Sequence, residues 1–155
     1  MSAALAMDVT ALRRFLQEEF PQALEFGAEI TRCEPDGLDL SLETADRHLR
    51  PGGTVSGPTL MTLGDAASYY AILARVGPKA LAVTSSLEIH FLRRPRPGVI
   101  TAHARLTKLG RRTSVVQVEY THAEVEGAIA IATVTYAMPA SAGHSERPWP
   151  AAPQS

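Results

Sequence analysis

From Thr59 to Ala74 the chain shows no polar side. At about 100° per residue, Leu60, Met61, Leu63, Ala67, Tyr70, Ile72 and Leu73 point in all directions, and Asp65 is the sole charge before Arg75. A helix apolar all round is a buried helix. Its start falls between Ser56 and Pro58, at the end of the run Arg50-Pro51-Gly52-Gly53-Thr54-Val55-Ser56-Gly57-Pro58, because Ser, Gly and Pro are helix-start residues. Asp65 is expected to be buried with the helix, and taking an unpaired carboxylate out of water costs several kcal/mol. Two accounts stay open. The carboxylate is catalytic, or a nearby hydroxyl or amide satisfies it close to the positive end of the helix dipole.

Before this segment, Leu12, Phe15, Leu16 and Phe20 recur at helical spacing among Arg13, Arg14, Gln17 and Glu18. That pattern predicts an amphipathic helix capped by Asp8 or Thr10 and ending near Pro21. Phe26 to Glu34 and Leu38 to Glu43 read as strands around the turn Pro35-Asp36-Gly37, and Thr44 to Gly53 as a loop. Four more strands follow: Leu81 to Leu92, Val99 to Leu109, Thr113 to Val125 and Ala128 to Met138. Their connections, Arg93 to Gly98, Gly110 to Arg112 and Glu126-Gly127, are too short for parallel crossovers, so the sheet is antiparallel. Beyond Met138 the Pro, Ala, Ser and Gly content predicts a flexible tail carrying Trp149. The organisation is an N-terminal helix (1–22), an α+β domain (23–138) and a tail (139–155).

A chain of 155 residues with a formal net charge of -1 suits one globular domain and lacks the basic tract of a nucleic-acid binder. The lone Cys33 excludes an intramolecular disulfide and reads as a small strand residue, and no export signal is evident, so a cytoplasmic location is expected. No apolar run reaches the roughly 18 residues of a membrane span. His48, His90, His103, His122 and His144 lack ligand spacing, so no metal is expected, and His48 reads as an exposed loop residue. Neither a Gly-rich phosphate loop nor a nucleophile elbow is present.

An antiparallel sheet curled around a single apolar helix resembles the hotdog fold. The run from Arg50 also resembles the motif of hotdog thioesterases of the phenylacetic-acid-pathway type. That motif is Asn-x-x-Gly-x-x-His-Gly-Gly, with an acidic residue nine positions after the His. Here Gly53, Gly57, Leu63 and Asp65 keep their spacing, while Arg50, Ser56 and Pro58 replace the Asn, the His and the second Gly. The resemblance, spanning Phe26 to Met138, implies an acyl-CoA thioesterase in which Asp65 is nucleophile or general base and the Gly57 amide is the oxyanion donor. It also implies that Thr84 positions the water. Ser56 can cap the helix but cannot serve as an imidazole acid or base, and Pro58 removes a possible second oxyanion donor. Arg50 can reach a substrate carbonyl or carboxylate, or pair with Asp65. Met61 and Tyr69, like Ser56 and Pro58, are candidate substrate contacts. Tyr69 and Tyr70 fill core or dimer space, or line an acyl pocket.

Conditional on that family, coenzyme A enters as part of the substrate and no separate cofactor is expected. Arg93, Arg94 and Arg96 in one turn, and Lys108, Arg111 and Arg112 around another, present cations suited to its phosphates. Basic turns also keep sheet edges soluble. The implied assembly is a homodimer, paired as a dimer of dimers, that joins Gly57 of one chain to Asp65 and Thr84 of the other. Two other classes compete: a non-catalytic acyl-CoA sensor or carrier, and an acyl thioester hydratase or dehydratase. Ser56 weakens the latter, because those enzymes resemble a pattern with a catalytic His before the helix.

Overall fold

The computed structural model describes residues 4–78 and 81–139. One antiparallel sheet contains β1 (Glu29–Glu34), β2 (Gly37–Glu43), β3 (Val83–Phe91), β4 (Val99–Leu109), β5 (Thr113–His122) and β6 (Val125–Ala137), in the order β1-β2-β4-β5-β6-β3. The long helix α3 (Gly57–Val76) lies across its inner face. This is the α+β hotdog architecture. The tail from residue 140 onward, Trp149 included, lies outside the described residues.

The period-two pattern explains which face the helix covers. Leu38, Leu40 and Leu42 of β2, Ile100, Ala102 and Ala104 of β4, Val116, Val118 and Tyr120 of β5, and Ala130, Ala132 and Val134 of β6 are all buried. Against them lie Leu60, Leu63, Ala67, Ile72 and Leu73, each large side chain contributing about 1.5–3 kcal/mol when buried. At Gly64 the approach is close enough that a Cβ would overlap the Tyr120 hydroxyl, which donates to the Leu60 carbonyl at 2.8 Å. The N-terminal helix α1 (Val9–Glu19) is capped by Asp8, whose carboxylate accepts the Ala11 N–H at 2.8 Å, and it buries Leu12 and Leu16.

Four features differ from the sequence pattern. Pro21 does not simply end α1: it opens a short second helix, α2 (Pro21–Glu25), at a position where its missing N–H costs nothing, so β1 begins at Glu29 rather than Phe26. The β5–β6 turn falls at Ala123-Glu124, where the Glu124 N–H donates to His122 Nδ1 at 3.0 Å, instead of at Glu126-Gly127. Gly127, at φ 82°, lies inside β6 beside a register irregularity. His48 is buried: Nδ1 accepts the Ala45 N–H at 2.9 Å, which leaves Nε2 to donate to the Phe26 carbonyl at 3.1 Å. Finally, α3 is not buried all round. Pro58, Met61 and Thr62 are exposed and Asp65, Ala66 and Tyr69 half-buried, forming one stripe at helical spacing that this chain leaves uncovered.

Candidate active site

Asp65 sits on that uncovered stripe, two turns into α3. Thr84 of β3 and Tyr136 of β6 are directly opposed in the sheet. Thr84 Oγ1 donates to Asp65 Oδ1 at 2.8 Å, and the Tyr136 hydroxyl lies 2.5 Å from the same oxygen and 2.8 Å from the Asp65 carbonyl. Oδ2 has no hydrogen-bond partner among the described residues. Burial, reinforced by the bond to Asp65, pushes the Tyr136 hydroxyl well above the ordinary tyrosine range, so it serves as a donor. Tyr69 stacks on the Tyr136 ring with centroids 6.3 Å apart and planes inclined by 16°. One carboxylate oxygen is therefore held by two hydroxyls while the other accepts none from the described residues. Tyr136 had no signal in the sequence beyond ordinary strand composition, because its role depends on the β3–β6 register.

The start of α3 forms a second element. Ser56 is the N-cap: its Oγ accepts the Thr59 N–H at 3.2 Å and lies 2.7 Å from Thr59 Oγ1, which donates to the His48 carbonyl at 3.1 Å. The buried His48 thereby ties the preceding loop to the helix start. Gly57 and Pro58 occupy the first helical turn, whose N–H groups lack intrahelical acceptors. Gly57 lies against Phe91, where a Cβ would stand 3.3 Å from the ring. The helix start is thus at the Phe91 end of β3 and Asp65 at the Thr84 end. Eight residues of helical rise separate Gly57 from Asp65 by about 12 Å, so one chain does not bring them together.

The remaining candidates are spread around this frame. Arg50 is exposed in a turn closed by its own backbone bonds to Gly53 and Thr54, and no ion pair joins it to Asp65, whose partners are hydroxyls. Pro58 and Met61 are exposed on the open stripe of α3. Arg93, Arg94 and Arg96 follow the Phe91 end of β3. Arg93 donates to the Ala128 carbonyl at 3.2 Å, and Arg96 lies 3.8 Å from Glu124. Lys108, Arg111 and Arg112 lie at the β4–β5 turn, which the Met138 N–H to Arg112 carbonyl bond ties to the Tyr136 end of β6. The two basic clusters therefore occupy opposite ends of the sheet. Burial raises the Cys33 thiol, in keeping with a packed strand residue. Among the described residues, no group of three or more His, Cys, Asp or Glu could hold a metal, and no helix is long and apolar enough to cross a membrane.

Comparison with known proteins bears on the family and the fold. The thioesterase superfamily pattern matches residues 52–129. A Silicibacter sp. TM1040 structure assigned as a thioesterase is 36% identical over 90% of this chain and 96% of its own, with a TM-score of 0.81. The phenylacetic acid degradation protein PaaI of Thermus thermophilus, solved as a point mutant, is 26% identical, covering 76% of this chain and 97% of its own at a TM-score of 0.67. A Haemophilus influenzae thioesterase shares the fold at 20% identity, with 94% and 100% coverage and a TM-score of 0.79. No curated protein sequence matches the chain. The chain belongs to the thioesterase superfamily, in its hotdog branch, and its class of chemistry is thioester hydrolysis.

Proposed function

We propose that this protein hydrolyses an acyl-CoA thioester to a carboxylate and free coenzyme A, with Asp65 as the reacting carboxylate. The observation that carries this reading is the clamp on Oδ1: Thr84 and Tyr136 hold one oxygen and leave Oδ2 for the reaction. Oδ2 takes a proton from water as the water oxygen bonds to the thioester carbon, or attacks that carbon itself to give a mixed anhydride that water then opens. In either course the C–S bond breaks and the thiolate is protonated as it leaves. The oxyanion needs a donor at the carbonyl, and the first-turn amide of Gly57 supplies one aided by the helix dipole.

Because Gly57 and Asp65 stand apart within a protomer, the complete site belongs to a dimer. β3 is an edge strand, and Leu81, Val83, Phe91 and Leu92 on and around it are 60%, 65%, 50% and 54% exposed. A twofold axis through the middle of β3 would set the Phe91 end of one protomer against the Thr84 end of its partner and bring Gly57 to Asp65. The same operation would carry Arg93 and Arg94 to the site from one side, while Lys108, Arg111 and Arg112 approach from the other. Two clusters at opposite ends of one sheet thereby become neighbours suited to the phosphates of coenzyme A.

The test is thiol release from acyl-CoA substrates by the wild type and Asp65→Asn. Loss of about 100-fold or more in kcat, in a variant that still folds and assembles, supports the carboxylate role. Near wild-type turnover would sink it. Binding of acyl-CoA without thiol release by the wild type would move the reading to a sensor or carrier.

A further inference from the structure

The cavity that Asp65, Thr84 and Tyr136 border extends well beyond them. Within one protomer it is open along the Leu81 and Val83 edge, where the proposed partner strand would lie, and its volume is about 1120 Å³. Its opposite wall is the N-terminal helical pair, through Phe15 of α1, Phe20, Ala23 of α2 and Phe26. Tyr69 and Tyr70 complete the side formed by α3. The volume lies above the roughly 300–1,000 Å³ typical of small-molecule sites, and an acetyl group would leave most of it empty. The aromatic wall is incompletely packed: Phe15 and Phe26 are half-buried and Phe20 is 44% exposed. Apolar surface facing a void gains from an apolar occupant.

Charge narrows the occupant further. Arg14 is the only Lys or Arg among the described lining residues, and its exposed guanidinium pairs with Glu18, one turn further along α1, at 3.0 Å. Glu19 stands nearby on the same helix. Among the described lining residues, an acyl group ending in a carboxylate would find Glu18, Glu19 and Asp65, and Arg14 as the one cation.

We propose that α1 and α2 form the specificity wall of an acyl chamber for uncharged, apolar acyl groups of medium length, with the thioester carbonyl at Asp65 and the chain running toward Phe15 and Ala23. This rests on Asp65 being the reacting carboxylate, since continuity with that residue is what makes the cavity an acyl site.

The experiment compares kcat/KM for acetyl-, octanoyl-, decanoyl- and succinyl-CoA in the wild type, Ala23→Phe and Phe15→Ala. Each methylene buried is worth roughly fourfold, so octanoyl should exceed both acetyl and succinyl by about tenfold or more. Ala23→Phe fills the chamber and should lower the octanoyl-to-acetyl ratio by about tenfold, whereas Phe15→Ala lengthens it and should move the optimum toward decanoyl. If Ala23→Phe does not fold, Phe15→Ala alone decides. Ratios unmoved in the folded variants, a preference for acetyl or succinyl, or a changed oligomeric state without a changed ratio would overturn the proposal. Calorimetry with the non-hydrolysable octyl-CoA thioether separates the two readings. Binding that weakens in Ala23→Phe while the wild type releases no thiol keeps the chamber and removes the hydrolytic assignment. Thiol release with no chain-length effect does the reverse.

Discussion

Thr84 and Tyr136 face each other across β3 and β6, and both hydroxyls are directed at the same atom, Oδ1 of Asp65. Their coupling is measurable. Each bond to a charged group is worth about 1.5–3 kcal/mol, and either hydroxyl alone still orients the carboxylate. Thr84→Val and Tyr136→Phe should each lower kcat by about tenfold, and the double variant should lose more than the product of the two. Strictly multiplicative losses would show that the two donors act independently.

Assembly is predicted to control activity. Phe91→Asp puts a charge on the exposed end of the edge strand, beside Gly57. Light scattering should show a monomer, and thiol release should fall with it. A Phe91→Asp monomer of full activity would place the oxyanion donor within the same chain.

Gly64→Ala tests the contact between α3 and the sheet. A Cβ there overlaps the Tyr120 hydroxyl, and both groups are fully enclosed, so the helix must shift. Overpacking of this kind costs about 1–3 kcal/mol. Denaturant unfolding should show a lower midpoint with little change in slope.

Alkaline stability follows from three tyrosines. Burial raises Tyr70 from 10.0 to about 12, and it raises Tyr120 and Tyr136 further still. In the unfolded chain these hydroxyls ionise near pH 10, so above that pH the folded state binds more protons and stability falls as pH rises. Their contribution is fully present below about pH 10. Between about pH 10 and 12 the loss should approach roughly 1.4 kcal/mol per pH unit for each tyrosine still protonated in the fold. Melting temperatures across this range should decline steeply, and less steeply in Tyr136→Phe. A flat profile would contradict the burial of these hydroxyls.

The strands, the long helix and its cap were legible because each depends on local pattern. Leu38, Leu40 and Leu42 alternate, Ser56 precedes Gly57-Pro58, and Asp65 interrupts an otherwise apolar run. Gly127 misled because glycine serves a strand bulge as readily as a turn. The hydrogen bond from Glu124 N–H to His122 that sets the real turn involves a side chain. His48 misled because a loop residue is exposed by default, and only the fold supplies Phe26 as its enclosing neighbour.

The candidate site divides in the same way. Spacing and motif likeness alone single out Asp65, Gly57 and Thr84, since each is a residue type at a set distance along the chain. Tyr136 joins Asp65 from 71 residues away, through a strand register that no local pattern encodes. The exposed stripe of α3 was hidden for a related reason: apolar periodicity reports that a surface avoids water, not which surface covers it. Hydrophobic pattern therefore determined that there would be a sheet, a helix and one lone carboxylate. The tertiary structure decided which oxygen of that carboxylate is held, which accepts no hydrogen bond from the described residues, and that the N-terminal helices wall the cavity beside it, because all three depend on contacts between segments far apart in sequence.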